Sequence, residues 1–242
     1  MIYLNFNSIC GLQLFSAKHS LMRLRSVMAI VVLLFASVPG YASELESEAE
    51  HSSASEAAFV GESEGANAVV DALHVNLLHI MQNAQALDYQ GRYGHIYEMV
   101  TSRFDTALIA KVIMSRYWKK LDDIQKSDFI ALFERLSVAT YASRFDGFSG
   151  ESFVGISTDK LKKGRLLIKT ELIRPDDKPV RLDYLMHQRD GKWLIISVIA
   201  NGVNDLSLKR AEYASVIKEK GFQGLIDDVV GKIDNMENNH EK

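Results

Sequence analysis

The second half of the chain contains four runs of apolar or alternating residues joined by short turn sequences. The runs cover residues 153–157, 165–173, 180–187 and a last stretch that begins at 192. The connections hold Gly164, Pro175-Asp176-Asp177 and Asp190-Gly191, all residues that favour tight turns. Because parallel strands need a crossover of a dozen or more residues, this pattern predicts a four-stranded antiparallel meander.

The last of these strands is apolar on both faces. Its side chains fall into two alternating sets, one with Trp193, Ile195 and Ile199 and the other with Leu194, Ile196 and Val198. An antiparallel strand with one face in water would alternate with polar residues. We therefore expect both faces to be covered, by protein or by a bound apolar molecule. Asn201-Gly202 then turns the chain into a charged amphipathic helix.

Helical spacing dominates on either side of the strands. Apolar residues recur every three or four positions in 69–81, 104–113 and 129–145, and this period predicts amphipathic helices. After the strands, helices are expected at 205–220 and 222–233, parted by Gly221. The fold class is therefore α+β, with N-terminal helices, a four-stranded antiparallel meander and C-terminal helices.

The N-terminus resembles a secretory signal peptide. Arg23 and Arg25 precede an apolar run at 27–38, and Gly40 and Ala42 supply small residues before a cleavage site after Ala42. The run is short for a segment that crosses about 30 Å of hydrocarbon, which argues against the alternative of a membrane anchor. We assign residues 1–42 to the signal peptide, with translation starting at Met1 or Met22, and expect export to the periplasm.

Charge and composition divide the remaining chain. Residues 43–66 hold seven Glu and no Lys or Arg, so we interpret them as an acidic disordered linker. The folded domain then covers 67–236, and 237–242 form a polar tail. The formal net charge of −3 is unevenly distributed, and the chain after residue 66 is close to neutral, which argues against nucleic acid as a partner. The single cysteine, Cys10, precedes the cleavage site, so the mature chain forms no disulfide.

Catalytic and metal-binding patterns are missing from the sequence. His74 and His79 are five residues apart and do not share a helix face as a metal pair would. We found no nucleophile–base pair and no phosphate-binding glycine loop, so we predict no enzyme activity, no metal and no cofactor. Lys209 and Arg210 form either a solvated helix face or a site for an anionic headgroup, and the sequence favours the first.

Aromatic and apolar residues are abundant on elements that should converge. Tyr184 shares a strand face with Val180, Leu182 and Met186, which makes it a candidate to face a bound apolar molecule. The residues alone leave two alternatives open, a solid core or an apolar pocket between the sheet and the helices.

Two long stretches carry a resemblance to a known family. The segment FDTALIAKVIMSRYWKKLDDIQKSDFIALFERLSVATYASRFDGFSGESF (104–153) and the segment DGKWLIISVIANGVNDLSLKRAEYASVIKEKGFQGLI (190–226) resemble the MlaC-type family of lipid-binding proteins, also called the toluene-tolerance auxiliary transport family. The form of 202–213 is most similar to the HpnM subgroup associated with hopanoids. Ser197 departs from the family pattern, which often has Asp there.

The resemblance implies a soluble periplasmic carrier with an apolar cavity between sheet and helices. Such a carrier would bind a hopanoid or a phospholipid and move it between the inner and outer membranes. Its partners would be an inner-membrane ABC transporter or other export complex and an outer-membrane lipid complex, and its system would maintain outer-membrane lipid asymmetry. The two-sided strand would then have helices on one side and lipid or cavity wall on the other. The residues expected to contact lipid are Tyr117, Trp118, Phe129, Phe133, Tyr141, Phe153, Leu172, Tyr184 and Ile195.

Two other functions stay open at this point. One is a ligand-free periplasmic adaptor with a solid core. The other is a small periplasmic hydrolase with an unrecognised site.

Overall fold

A computed structural model describes residues 42–240, with side chains from residue 59 onward. The predicted signal peptide lies outside the described residues, apart from Ala42. The elements follow the predicted order of helices, antiparallel strands and helix.

Five α-helices surround the sheet on its core side. Their bounds are α1 Ala42–Gln82, α2 Ala84–Arg103, α3 Thr106–Met114, α4 Asp123–Arg144 and α5 Asp205–Asn238, with a 3₁₀ turn at Ser115–Lys120. Among the described residues, every helix is too short or too polar to cross a membrane. Helix α4 starts with a capping box, in which the Asp122 side chain accepts from the Gln125 N–H and the Gln125 side chain accepts from the Asp122 N–H.

The sheet is an antiparallel meander of five strands in sequence order. The strands are β1 Ser152–Leu161, β2 Arg165–Arg174, β3 Asp177–Arg189, β4 Lys192–Ala200 and β5 Val203–Asn204. The meander prediction is confirmed, with a fifth, two-residue strand that follows the Asn201-Gly202 turn. Asp190-Gly191 and Asn201-Gly202 have positive φ at both residues, as two-residue hairpins require.

One face of the sheet forms the main core with α1 and α2. Leu172, Leu182, Tyr184 and Ile195 are buried on this face against apolar α1 residues such as Leu73. The opposite face pairs Lys169 with Asp183 and Glu171 with Arg181 across neighbouring strands. We call the first set, with its α1 and α2 partners, the sheet cluster.

A second apolar cluster joins α3, α4 and α5. Ile109, Phe129, Leu136, Tyr213 and Val229 are buried members of this helical cluster. Phe104 and Tyr93 pack against both clusters. The two clusters therefore meet along a seam at the end of α2.

Helix α5 folds back on itself at Gly221. The φ of Gly221 is 76° and its ψ is −178°, which breaks the helix at the predicted place. Lys232 makes an ion pair with Glu212, although 20 residues of straight helix would separate them by about 30 Å. The Lys220 Nζ atom likewise lies 2.9 Å from Asp228 Oδ1. The two halves of α5 thus form an antiparallel hairpin.

The structure differs from the disordered linker predicted for 43–66. Helix α1 begins at Ala42, and from residue 59 its side chains contact the domain. Phe59 packs against the sheet cluster, Ala66 is fully buried and Glu62 lies 3.4 Å from Lys160 of β1. The acidic composition did not predict this contact with the sheet, because one aromatic residue and a few short side chains are enough to make it.

Candidate functional site

A cavity of about 410 Å³ lies on the seam between the sheet cluster and the helical cluster. Its lining includes Leu77 of α1, Val100 of α2, Ile109 of α3 and Phe104 in the connection between α2 and α3. All five helices and two central strands reach it, so the cavity is a product of the whole fold. Its volume falls within the range of about 300–1,000 Å³ that is typical of ligand pockets.

Strands β3 and β4 form the sheet wall of the cavity. Leu182 pairs with Ala200 and Tyr184 pairs with Val198 in the antiparallel register, and all four residues line the cavity. Cross-strand pairs project from the same face of a sheet. This is the face that α1 and α2 also cover, so the expectation of helices on one side of the sheet and cavity on the other is corrected.

A bulge explains why consecutive residues in the middle of β4 are buried. The register with β3 shifts between Leu185 and Met186, and four consecutive β4 residues from Leu194 to Ser197 are buried. The chain between α2 and α3 runs beside this strand, where the Asp105 N–H donates to the Ile195 carbonyl at 3.0 Å. The bulge and this neighbouring segment replace the strict alternation of a simple strand.

Helix α4 forms the opposite wall. Its lining residues recur at helical spacing, so they occupy one face of the helix; they are Phe133, Leu136, Ser137, Thr140 and Tyr141. The Ser137 and Thr140 hydroxyls donate to carbonyls of the preceding turn, at 2.8 and 2.7 Å. The wall is therefore mainly apolar and aromatic, and the hydroxyls of its serine and threonine are already hydrogen-bonded within the helix.

Charged side chains collect at one side of the cavity. They are Arg144 at the end of α4 and Asp205, Lys209, Glu212 and Lys232 of α5. We call this set the charged rim. The four α5 side chains are 26–45% exposed, whereas Leu182 and Tyr184 are buried, so the cavity meets solvent at the rim.

The rim pairs each of its carboxylates with a lysine. Lys209 Nζ lies 3.5 Å from Asp205 Oδ1, and Lys232 pairs with Glu212 across the hairpin of α5. Arg144 adds a third cationic group, so cations outnumber carboxylates in the described lining. Burial and the nearby charge of Asp205 raise the pKa of Tyr141, while Arg144 lowers it, which places both charges close to this phenol.

A buried hydrogen bond from α1 holds the Tyr184 side chain in place. His74 Nε2 of α1 lies 3.0 Å from the Tyr184 hydroxyl, and the His74 ring stacks on Phe153 with centroids 3.9 Å apart. Burial lowers the pKa of His74 from 6.5 to about 4, so the imidazole is neutral at pH 7. Burial also raises the pKa of Tyr184, which keeps the phenol protonated. The uncharged His74–Tyr184 pair therefore connects α1 to the sheet wall of the cavity.

A second polar group anchors the start of α3. The Asp105 carboxylate is almost fully buried and accepts from the Leu108 N–H at 3.0 Å. It also lies 2.8 Å from His187 Nε2 and 2.7 Å from Arg189 Nη1 of β3. This polar cluster therefore connects the start of α3 to strand β3.

Three of the nine residues predicted to contact lipid line the cavity: Phe133, Tyr141 and Tyr184. The other six have packing positions outside the lining. Leu172 and Ile195 lie in the sheet cluster, Phe129 in the helical cluster, Phe153 against His74, and Tyr117 and Trp118 in the 3₁₀ turn beside the helical cluster.

Sequence reasoning missed most of the charged rim and several apolar lining residues. Lys209, one of the two candidate headgroup residues, lines the cavity, whereas its neighbour Arg210 is exposed outside the lining. Asp205, Lys209 and Glu212 share one helix face at spacings of four and three, and this spacing could have predicted that the three side chains lie together. Lys232 and Met236 are brought to the cavity by the turn at Gly221, which no local pattern reveals.

Comparison with known proteins relates the chain to a protein family and to a solved structure. The family model described as MlaC protein matches residues 71–230. A solved structure of a phospholipid-binding protein from Ralstonia solanacearum, in complex with a phospholipid, superposes with a TM-score of 0.63. It is 16% identical, and the match covers 71% of this chain and 98% of that one. At this identity the likeness concerns the fold.

Proposed function

Because this chain belongs to the MlaC family, we propose that it is a lipid carrier that holds its cargo in the cavity between sheet and helices. The observation that carries the proposal is the 410 Å³ cavity with apolar walls and a charged rim. The phospholipid held by the Ralstonia protein of similar fold supports a lipid as the ligand.

Physical chemistry explains why such a carrier is needed. Each buried CH₂ group contributes about 0.8 kcal/mol, so a chain of about 16 carbons resists transfer into water by roughly 13 kcal/mol. Walls made of Phe133, Leu136, Leu182 and Val198 replace water around the chain during transit. Binding and release then suffice, and the protein needs no bond-making chemistry.

The amphipathic layout of the cavity suggests how a lipid lies in it. The hydrocarbon part fits between α4 and the sheet, and the polar headgroup lies near the charged rim. The ligand is a phospholipid or a hopanoid, and the excess of cations in the rim favours the phospholipid. Among the aromatic residues, Phe133, Tyr141 and Tyr184 are the proposed lipid contacts.

The proposed cellular setting is the periplasm. The N-terminal basic and apolar runs support export with cleavage after Ala42, and N-terminal sequencing of periplasmic protein should begin at Ser43. We propose exchange with an inner-membrane ABC transporter complex and an outer-membrane lipid complex, either of which would be tested by crosslinking from the charged rim.

Lipid extraction from purified protein tests the proposal. Protein from its native host should carry lipid detectable by mass spectrometry. Ala200→Trp fills the cavity from β4 and should remove most of that lipid, whereas Ala131→Trp on the exposed side of α4 adds the same bulk and should leave it in place. Circular dichroism establishes that both variants are folded.

Two results would contradict the carrier. Wild-type protein without bound or bindable lipid would favour an adaptor with a solid core. Turnover of a lipid ester by the purified protein would favour a hydrolase.

A further inference from the structure

The volume of the cavity limits how much hydrocarbon it can enclose. That volume is about 410 Å³. An apolar cavity of about 150 Å³ binds benzene, a six-carbon molecule, which gives a scale of about 25 Å³ per carbon atom. The cavity therefore has room for about 16 carbons, the length of one common acyl chain. Two such chains would need about 800 Å³.

Polar contacts between the walls oppose a twofold expansion. His74 of α1 holds Tyr184 of the sheet wall, with 3.0 Å between His74 Nε2 and the Tyr184 hydroxyl. The buried Asp105 carboxylate, at the start of α3, lies 2.8 Å from His187 Nε2 of β3. Moving the sheet away from α1 or α3 would break these contacts and leave buried polar groups unpaired, which is unfavourable.

The aromatic residues of the lining also pack against one another. The ring centroid of Tyr141 lies 6.0 Å from that of Phe104 and 5.8 Å from that of Phe145, and all three residues line the cavity. These distances are typical of favourable aromatic pairs. A second chain would have to separate these rings as well as the polar contacts, so the observed volume sets the capacity for cargo.

The charged rim indicates which group lies at the end of the chain. Lys209, Lys232 and Arg144 outnumber the carboxylates of Asp205 and Glu212 there. Phosphate accepts strong hydrogen bonds from lysine and arginine. The α5 side chains of the rim are partly exposed, so a headgroup at this position stays in contact with water while the chain fills the cavity.

We propose that the cargo is a lysophospholipid, with its single acyl chain in the cavity and its phosphate at the charged rim. The inference rests on the proposed function and narrows the cargo to phospholipids with one chain. A diacyl phospholipid would keep one chain outside the cavity, and the skeleton of a hopanoid, about 30 carbons, would need about 750 Å³.

Titration with lysophospholipids of increasing chain length tests this capacity. Full-length mature protein is stripped of lipid and titrated with monomeric lysophosphatidylglycerol. Affinity should rise about fourfold per added CH₂ up to about 16 carbons, because each group that enters the cavity leaves water. Chains of about 18 and about 20 carbons should bind no more tightly, since their ends find no further apolar wall.

A matched pair of variants ties the plateau to the cavity. Ala200 of β4 lines the cavity, and Ala200→Leu adds about three carbons to its wall, so the plateau should move to about 13 carbons. Ala131→Leu adds the same bulk on the exposed side of α4 and should leave the plateau near 16 carbons. Circular dichroism establishes that both variants are folded.

Competition between lipids with the same headgroup tests single-chain occupancy directly. Stripped protein is incubated with vesicles that contain equal amounts of palmitoyl lysophosphatidylglycerol and dipalmitoyl phosphatidylglycerol, and bound lipid is identified by mass spectrometry. The lysophospholipid should be enriched more than about tenfold, because the diacyl lipid takes two chains out of the bilayer and finds an apolar environment for one.

The outcomes separate this proposal from the carrier. Enrichment of the diacyl lipid, an affinity that keeps rising beyond the plateau, or an unshifted plateau in folded Ala200→Leu would overturn single-chain cargo and leave the carrier intact. Tighter binding of palmitate than of palmitoyl lysophosphatidylglycerol would assign a fatty acid and overturn the lysophospholipid. Failure of wild type to bind any of these lipids would overturn the carrier itself. If Ala200→Leu does not fold, the plateau and the competition of the wild type decide the question.

Discussion

Acidification should destabilise this protein through one buried residue, His74. In the folded state burial lowers its pKa to about 4, whereas the unfolded chain has the ordinary value of 6.5. Between these values the unfolded state binds the extra proton, so the free energy of unfolding falls as the pH falls. The loss begins near pH 6.5 and is complete below about pH 4. A difference of this size between the two pKa values lowers the free energy of unfolding by about 3 kcal/mol.

Urea unfolding between pH 7.5 and 4 measures this loss. Other groups titrate in the same range, so the test compares wild type with His74→Gln, which offers Tyr184 a hydrogen-bonding amide that does not titrate. The wild type should lose about 3 kcal/mol more than the variant over this range. His95→Gln removes an exposed imidazole and should track the wild type.

Parallel stability curves for wild type and His74→Gln would refute the reasoning. Such a result would mean that the imidazole is solvated when protonated, or that α1 separates from Phe153 and Tyr184 before the domain unfolds. A larger loss in the variant than in wild type would contradict the sign of the linkage.

Three further changes have defined outcomes. Asp105→Asn should lower the free energy of unfolding by about 2 kcal/mol in urea, because the charged partner of two β3 side chains is lost; an unchanged midpoint would show that solvent replaces the contacts. Gly221→Ala should cost about 1–3 kcal/mol, since its φ and ψ are accessible almost only to glycine. Gly231→Ala in the same helix meets open space and should stabilise by up to about 1 kcal/mol, so equal effects would disprove the conformational argument. A chain that starts at Asn67 should melt about 2–4 °C below one that starts at Phe59, because it lacks the contacts of Phe59 and Glu62 with the domain; identical melting would restore the linker interpretation for this segment.

Local patterns predicted most of the secondary structure from residue 67 onward. Turn residues at Asp190-Gly191 and Asn201-Gly202 require positive φ, and the structure has it at all four positions. The alternation of Val180, Leu182, Tyr184 and Met186 with polar residues put their side chains on the core face, as the burial of β3 confirms. The break at Gly221 was equally local. Interactions within a few residues decide such features, so a single sequence contains them.

The site depended on contacts between distant residues. The helical periods identified apolar faces, but six of the nine predicted lipid contacts, including Phe129 and Leu172, are used for packing between elements. Sequence distinguishes apolar from polar residues, and it cannot tell a wall of the core from a wall of a cavity, since both have the same composition. The charged rim formed only when the hairpin of α5 brought Lys232 back to Glu212. Local sequence patterns thus predicted most elements from residue 67 onward, their order and the family, whereas tertiary packing decided where the two apolar clusters leave space and which side chains surround it.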